Sequence, residues 1–166
     1  MALTLGGRTL LFFALTLTVS LSALGQVEKA AIRTTGISCG SCAVFSEVYL
    51  KGLPGVDKIA ISLSKEAVMV SYKPGAAFRP KDLRDALKRT DVGVLQLQVS
   101  ARGRIERRAR ESVFIAGRDL FVIAGFPVGM TIPPDVPILI EGVVNDLVNP
   151  MELKVLSFRL IPPKAG

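Results

Sequence analysis

The chain has 166 residues, 21 Lys and Arg against 14 Asp and Glu, a formal charge of +7, two cysteines and no histidine. That inventory excludes a four-cysteine zinc site and a Cys–His catalytic pair, since neither can be assembled from it. The two sulfurs are left as the best candidates for chemistry, and a binding protein, not an enzyme, is expected.

Residues 1–25 carry one basic residue, Arg8, then an uncharged, mostly apolar run from Leu10 to Leu24. The run ends at Ala23-Leu24-Gly25, with small residues at the minus-three and minus-one positions of a cleavage site, as in a secretory signal peptide. An uncleaved anchor is the alternative, although about 15 apolar residues is marginal for a span of roughly 20. Cleavage would leave 141 residues (166 minus 25) and a charge of +6 (+7 without Arg8), in a secreted or periplasmic protein. That length suffices for one modest core or two small ones.

Val27 to Thr35 alternates as a short strand does. Gly36-Ile37-Ser38-Cys39-Gly40-Ser41-Cys42 follows, and then Ala43 to Leu53, without internal Pro and with apolar residues three and four apart, reads as a helix stopped by Pro54-Gly55. Cys42 therefore falls near a helix N-terminus, where free N–H groups and the macrodipole favour thiolate. Ile59, Ile61 and Leu63 mark a second strand, Ser64-Lys65-Glu66 a turn, and Ala67 to Tyr72 a third strand pairing back. Pro80 suits the first turn of a helix whose buried side is Leu83, Ala86 and Leu87. Leu95, Leu97 and Val99 alternate in a last strand. Strand, helix, strand, strand, helix, strand is the ferredoxin-like split βαβ order.

With that order in place, residues 27–101 resemble the heavy-metal-associated domain of copper chaperones, metal-pumping ATPase tails and the periplasmic mercury-binding protein. The resemblance rests on Gly36-Ile37-Ser38-Cys39-Gly40-Ser41-Cys42, on Leu53-Pro54-Gly55-Val56, and on Arg79-Pro80-Lys81-Asp82-Leu83 with Ala86-Leu87. It implies that Cys39 and Cys42 bind a soft ion as a bis-thiolate, Cu(I) first, with Hg(II) or Zn(II) as alternatives. It implies that Ile37 anchors the loop, that Gly36 and Gly40 let it close, and that a metal-transporting membrane protein or other acceptor is the partner. Several positions depart from the pattern. Ile37-Ser38 stands where the family has Met-Thr, and Asp91-Val92-Gly93 stands where a Gly–aromatic pair or a Lys is usual. Ser46 replaces an inward aliphatic, while Val44, Phe45 and Val48 supply apolar bulk on positions commonly polar.

After residue 101 the composition changes. Arg102, Arg104, Arg107, Arg108 and Arg110 form a basic stretch over 102–112, read as a linker or a first strand, with contact to anionic lipid or an acidic partner as the rival and nucleic acid not expected. From 113 to 166 short apolar runs alternate with Gly and Pro turns: Val113 to Ala116 and Leu120 to Ala124 around Gly117-Arg118-Asp119, then Ile138 to Ile140, Val143-Val144, and Leu153 to Phe158. The fold class expected is α+β: a ferredoxin-like βαββαβ domain over 26–101, then a small β-rich domain of OB-barrel type. Val44, Phe45 and Val48 are expected to be covered by that second domain. Met130 and Met151 offer thioethers that copper can take as ligands, but each is isolated and reads first as a core filler. In an oxidising compartment metal and disulfide compete for the same sulfurs, so two other readings stay open: a thiol–disulfide redox protein, and an interaction module with incidental cysteines.

Overall fold

The computed structural model describes residues 25–162, so the expected signal segment lies outside those residues but for Gly25. Among the described residues no helix is long and apolar enough to cross a membrane. The elements are β1 (Gln26–Thr35), α1 (Gly40–Lys51), β2 (Val56–Ser62), β3 (Ala67–Tyr72), α2 (Pro80–Lys88), β4 (Gly93–Arg107), β5 (Ser112–Ala116), β6 (Asp119–Gly125), β7 (Ile138–Asn145) and β8 (Met151–Leu160). The first six follow the expected ferredoxin-like order, with strands side by side as β2-β3-β1-β4. Ala30 and Ile32 of β1, Val68 and Val70 of β3, and Leu97 and Val99 of β4 turn one face inward. Leu83, Ala86 and Leu87 of α2 close over it, as their spacing predicts. Leu95, grouped with Leu97 and Val99 from the sequence, is exposed instead.

Strand β4 decides the rest of the architecture. It does not end at residue 101 but runs through Ala101 and Ile105, both buried, to Arg107. The stretch 102–112 is thus strand to Arg107, a turn closed by Arg108 N–H donating to Glu111 O at 2.8 Å, and the start of β5. Residues 97–102 of β4 pair with β1 on one edge and with β7 on the other, and residues 104–107 pair with β5. From there β5 pairs with β6, β6 runs parallel to β8, and β8 returns to β7. The ring β4-β5-β6-β8-β7 closes on itself, giving the five-stranded barrel expected of the second half. Ile138–Asn145 is one strand through Glu141-Gly142, where the sequence showed two runs. Gly103 sits where β4 passes from β1 to β5, and a Cβ there would stand 2.1 Å from Ile115 O. Only glycine fits so close an approach.

A second seam locks the barrel to α2. Phe78, in the segment before α2, is buried and stacks edge-on to Tyr72 at 6.1 Å; Phe121 lies 6.1 Å from Phe78, and Phe114 lies 6.3 Å from Phe121. This aromatic row joins the cores of the two halves into one cluster. The Phe78 N–H donates to both carboxylate oxygens of buried Asp119, the first residue of β6, at 3.1 and 3.0 Å. Arg84 of α2 grips Asp146, just after β7, with Nε to Oδ2 at 2.6 Å and Nη2 to Oδ1 at 2.7 Å. The Tyr72 hydroxyl is buried without a partner among the described residues. Burial, then the charges of Asp119 and Asp82, push its pKa upward.

The expected docking of residues 113–166 on α1 is not what the chain does. Val44, Phe45 and Val48 are 60, 57 and 60 % exposed. The reason lies in the hydrogen-bond ladder: the barrel grows along the axis of β4 and is held at the α2 side, so it is not free to fold onto α1. Met130 and Met151 pack against the core, as read from the sequence.

Candidate metal centre

The loop between β1 and α1 carries Cys39 and Cys42, and local geometry brings their sulfurs together. Cys39 is the N-cap of α1, in extended backbone conformation, and its Sγ accepts the Cys42 N–H at 3.0 Å. A sulfur thus takes the role that a Ser or Asp oxygen usually fills, satisfying one of the free N–H groups of the first turn. The Ser41 hydroxyl lies 3.2 Å from the same sulfur. Cys42 does fall in the first turn, as expected, but the sulfur served by the helix end is that of Cys39. No acidic side chain occupies that turn. The two cysteines are joined as a disulfide, with Cα atoms 5.2 Å apart.

What surrounds the pair is layered. Beneath it, Ile37 is fully buried and pins the loop to the core, as the resemblance implied. Gly36 has φ +85, and a Cβ there would come within 3.2 Å of Asp91 O, so both backbone and space call for glycine. Gly40, by contrast, faces open space, and sterics do not require glycine at that position. Above the loop, Ser38, Cys39, Gly40 and Ser41 are exposed and Cys42 is half-buried, so among the described residues the loop stays open to solvent on the side of Cys39.

The replaced aliphatic is also explained. Ser46 points inward and is fully buried; its hydroxyl meets the Thr90 hydroxyl at 2.8 Å, and Thr90 Oγ1 in turn donates to Leu87 O at 2.9 Å. Helix α1 is therefore not rotated. It exchanges an apolar contact for a hydrogen bond to the end of α2 and leaves Val44, Phe45, Val48 and Tyr49 outside, with the Arg89 guanidinium 5.3 Å from the Tyr49 ring centre. Among the described residues no group of three or more His, Cys, Asp or Glu side chains converges on one point. The donor set at the loop is the two sulfurs. The seam residues Phe78, Asp119, Arg84 and Asp146 were not singled out by the sequence. The one signal available was Phe78, a lone large aromatic after Gly75-Ala76-Ala77, which was left unread.

No family model matches the chain. It is 32 % identical over 73 residues to the copper-transporting ATPase HMA4 of Oryza sativa subsp. japonica, covering 44 % of this chain and 7 % of that protein. To copper-transporting ATPase 2 of Mus musculus it is 35 % identical over 66 residues, covering 40 % of this chain and 4 % of that one. Part of this chain is similar to a heavy-metal-associated domain. The likeness spans about two fifths of the chain and a small fraction of those ATPases. Among solved structures, a CopZ metallochaperone matches with a TM-score of 0.38 and 24 % identity, over 40 % of this chain and 98 % of that one. The N-terminal domain of a potential copper-translocating P-type ATPase from Bacillus subtilis matches with a TM-score of 0.37 and 29 % identity, over 42 % and 85 %. The part of this chain that is similar to those domains ends in a strand that continues into the barrel.

Proposed function

We propose that this protein binds a soft metal ion, Cu(I) before Hg(II) or Zn(II), between the thiolates of Cys39 and Cys42, and holds it for transfer to an acceptor. The observation that carries the reading is two sulfurs side by side on an uncovered loop at a helix N-terminus, in a unit similar to domains of copper-transporting ATPases. Soft thiolates select Cu(I) by ligand type, and a two-sulfur set lacks the four ligands that a structural zinc ion takes. A thiol reductant must first give the disulfide two electrons and two protons, itself becoming a disulfide; the two protons then leave as the thiolates of the loop, anchored at Ile37, take the ion. A metal-transporting membrane protein suits the role of acceptor, since the matched relatives bear copper-transporting names. An exported location, secreted or periplasmic, fits the apolar N-terminal run. Binding, not catalysis, is the activity proposed.

The observed disulfide favours a second reading, in which the same pair cycles between dithiol and disulfide on a client. Native mass spectrometry separates the two. Reduced protein should take up one Cu(I) per chain against a competing chelator, and Cys39→Ser plus Cys42→Ser should abolish uptake. Reduced wild type that stays metal-free, yet exchanges disulfides with a model substrate, would overturn the metal reading in favour of the redox one.

A further inference from the structure

The barrel end where β4 turns into β5 combines guanidinium groups with bare apolar side chains. Arg107, Arg108 and Arg110, with Glu111, Ile123 and Phe126, line a cleft of about 390 Å³ where β4 turns into β5 and β6 ends. Arg104 is taken by Glu106 at 2.8 Å, and Arg108 reaches Glu106 only at 4.0 Å. Among the described residues neither Arg107 nor Arg110 has a carboxylate within ion-pair distance, and three arginines against Glu111 leave the cleft positive. Next to it, Phe126 is 40 % exposed and Val128 is 107 % exposed, more than in an extended reference chain.

Val128 is held out by a defined turn. Met130 N–H donates to Pro127 O at 3.1 Å, and Gly129 takes φ +79, so Val128 and Gly129 are the corner residues of a tight turn of type II. That bond closes the turn, and among the described residues the valine is presented to solvent with nothing to pack on. Scattered surface hydrophobes need no explanation, but two at a loop tip beside unpaired arginines do. A water-soluble polyanion would use the guanidiniums and has no use for Val128. A bilayer rich in anionic headgroups uses both: phosphates meet the arginines, and the apolar tip enters the headgroup–acyl boundary.

We propose that this end of the barrel docks on anionic phospholipid bilayers, with Arg107, Arg108 and Arg110 on the headgroups and Phe126 and Val128 inserted. The geometry gives the docking a consequence. Thr35, which leads into the cysteine loop, pairs with Gly93 at the start of β4, whereas Arg107 ends that strand and Arg108 and Arg110 follow it. Fifteen residues of strand run between the two, so a docked molecule would present the loop of Cys39 and Cys42 from the other end of β4.

The chain lacks Trp, so Val128→Trp creates a single fluorescent reporter at the tip. The full-length variant is titrated with phosphatidylcholine vesicles with and without phosphatidylglycerol. The expected result is binding and a blue shift of Trp emission with the anionic vesicles. Arg107→Gln, Arg108→Gln and Arg110→Gln in the same background should weaken the binding on the order of a hundredfold, at about fivefold for each charge near the surface. The N-terminal apolar run is common to both proteins and cancels in the comparison. Three results would each overturn the proposal: equal binding to neutral vesicles that ignores the arginine changes, heparin binding as tight as vesicle binding with no shift of the Trp, or no binding. Circular dichroism matching wild type confirms that these exposed changes leave the fold intact.

Discussion

Replacing Asp119 with Asn tests the seam between the two halves through a single proton. Burial pushes the Asp119 carboxyl up to about 6 from an ordinary 3.8, while the Phe78 N–H works in the opposite direction. The folded chain therefore holds this proton more tightly than the unfolded chain does. The group's contribution to stability is most favourable below about pH 4 and declines as pH rises to about 6, because above that the fold must carry a poorly hydrated charge. The separation between 3.8 and about 6 corresponds to a penalty on the order of 3 kcal/mol. Asn cannot ionise yet keeps an oxygen to accept from Phe78 N–H. The separation already counts the Phe78 bond, which is stronger to the charged oxygen, so Asp119→Asn should gain about 2–3 kcal/mol at pH 7–8 and nothing, or a small loss, at pH 4. Urea unfolding of both proteins at pH 4, 5, 6, 7 and 8 reads the difference directly. A difference that stays constant across that range, or a loss at pH 7, would refute the reasoning and show that the carboxylate is well solvated or that both of its oxygens are needed.

Other parts of the structure give simpler expectations. Arg84→Ala strips Asp146, whose side chain is 4 % exposed, of both guanidinium bonds and should cost on the order of 3 kcal/mol. Because Arg84 holds the Asp146 carboxyl below its usual range, that cost is present at neutral pH and shrinks as acid protonates Asp146, so unfolding midpoints should converge below about pH 4. Gly103→Ala forces a Cβ against Ile115 O and should cost at least about 3 kcal/mol, whereas Gly125→Ala, with open space around it, should be near neutral by thermal melt. Phe45→Ser should change stability by no more than about 0.5 kcal/mol, since its ring is mostly in water; a loss above about 2 would show that something covers the outer face of α1. After reduction, alkylation mapped by peptide mass spectrometry should modify Cys39 ahead of Cys42, because Cys39 is the exposed sulfur and Cys42 is half-buried.

The local elements were legible because their causes are local. Alternation over Ala67 to Tyr72 returned a strand with those bounds, Pro80 began α2, and Gly117-Arg118 turned the β5–β6 hairpin. The adjacency of the two sulfurs was also legible, since a strand–loop–helix sequence places residues 39 and 42 on one turn. What the sequence could not reveal is where β4 finds its partners. Arg102, Arg104 and Arg107 broke the composition and suggested a boundary, yet outward Arg102 and Arg104 against inward Ala101 and Ile105 keep the period of a strand, and pairing with β1, β5 and β7 decides that it runs on. The fate of Val44, Phe45 and Val48 was settled in the same way. Their hydrophobicity asks for a partner, but the ladder along β4 and the Phe78–Asp119 and Arg84–Asp146 links fix the barrel elsewhere. Hydrophobic pattern is written residue by residue, whereas strand pairing across dozens of residues depends on which edges remain open once the chain has folded. The tertiary structure alone decides that.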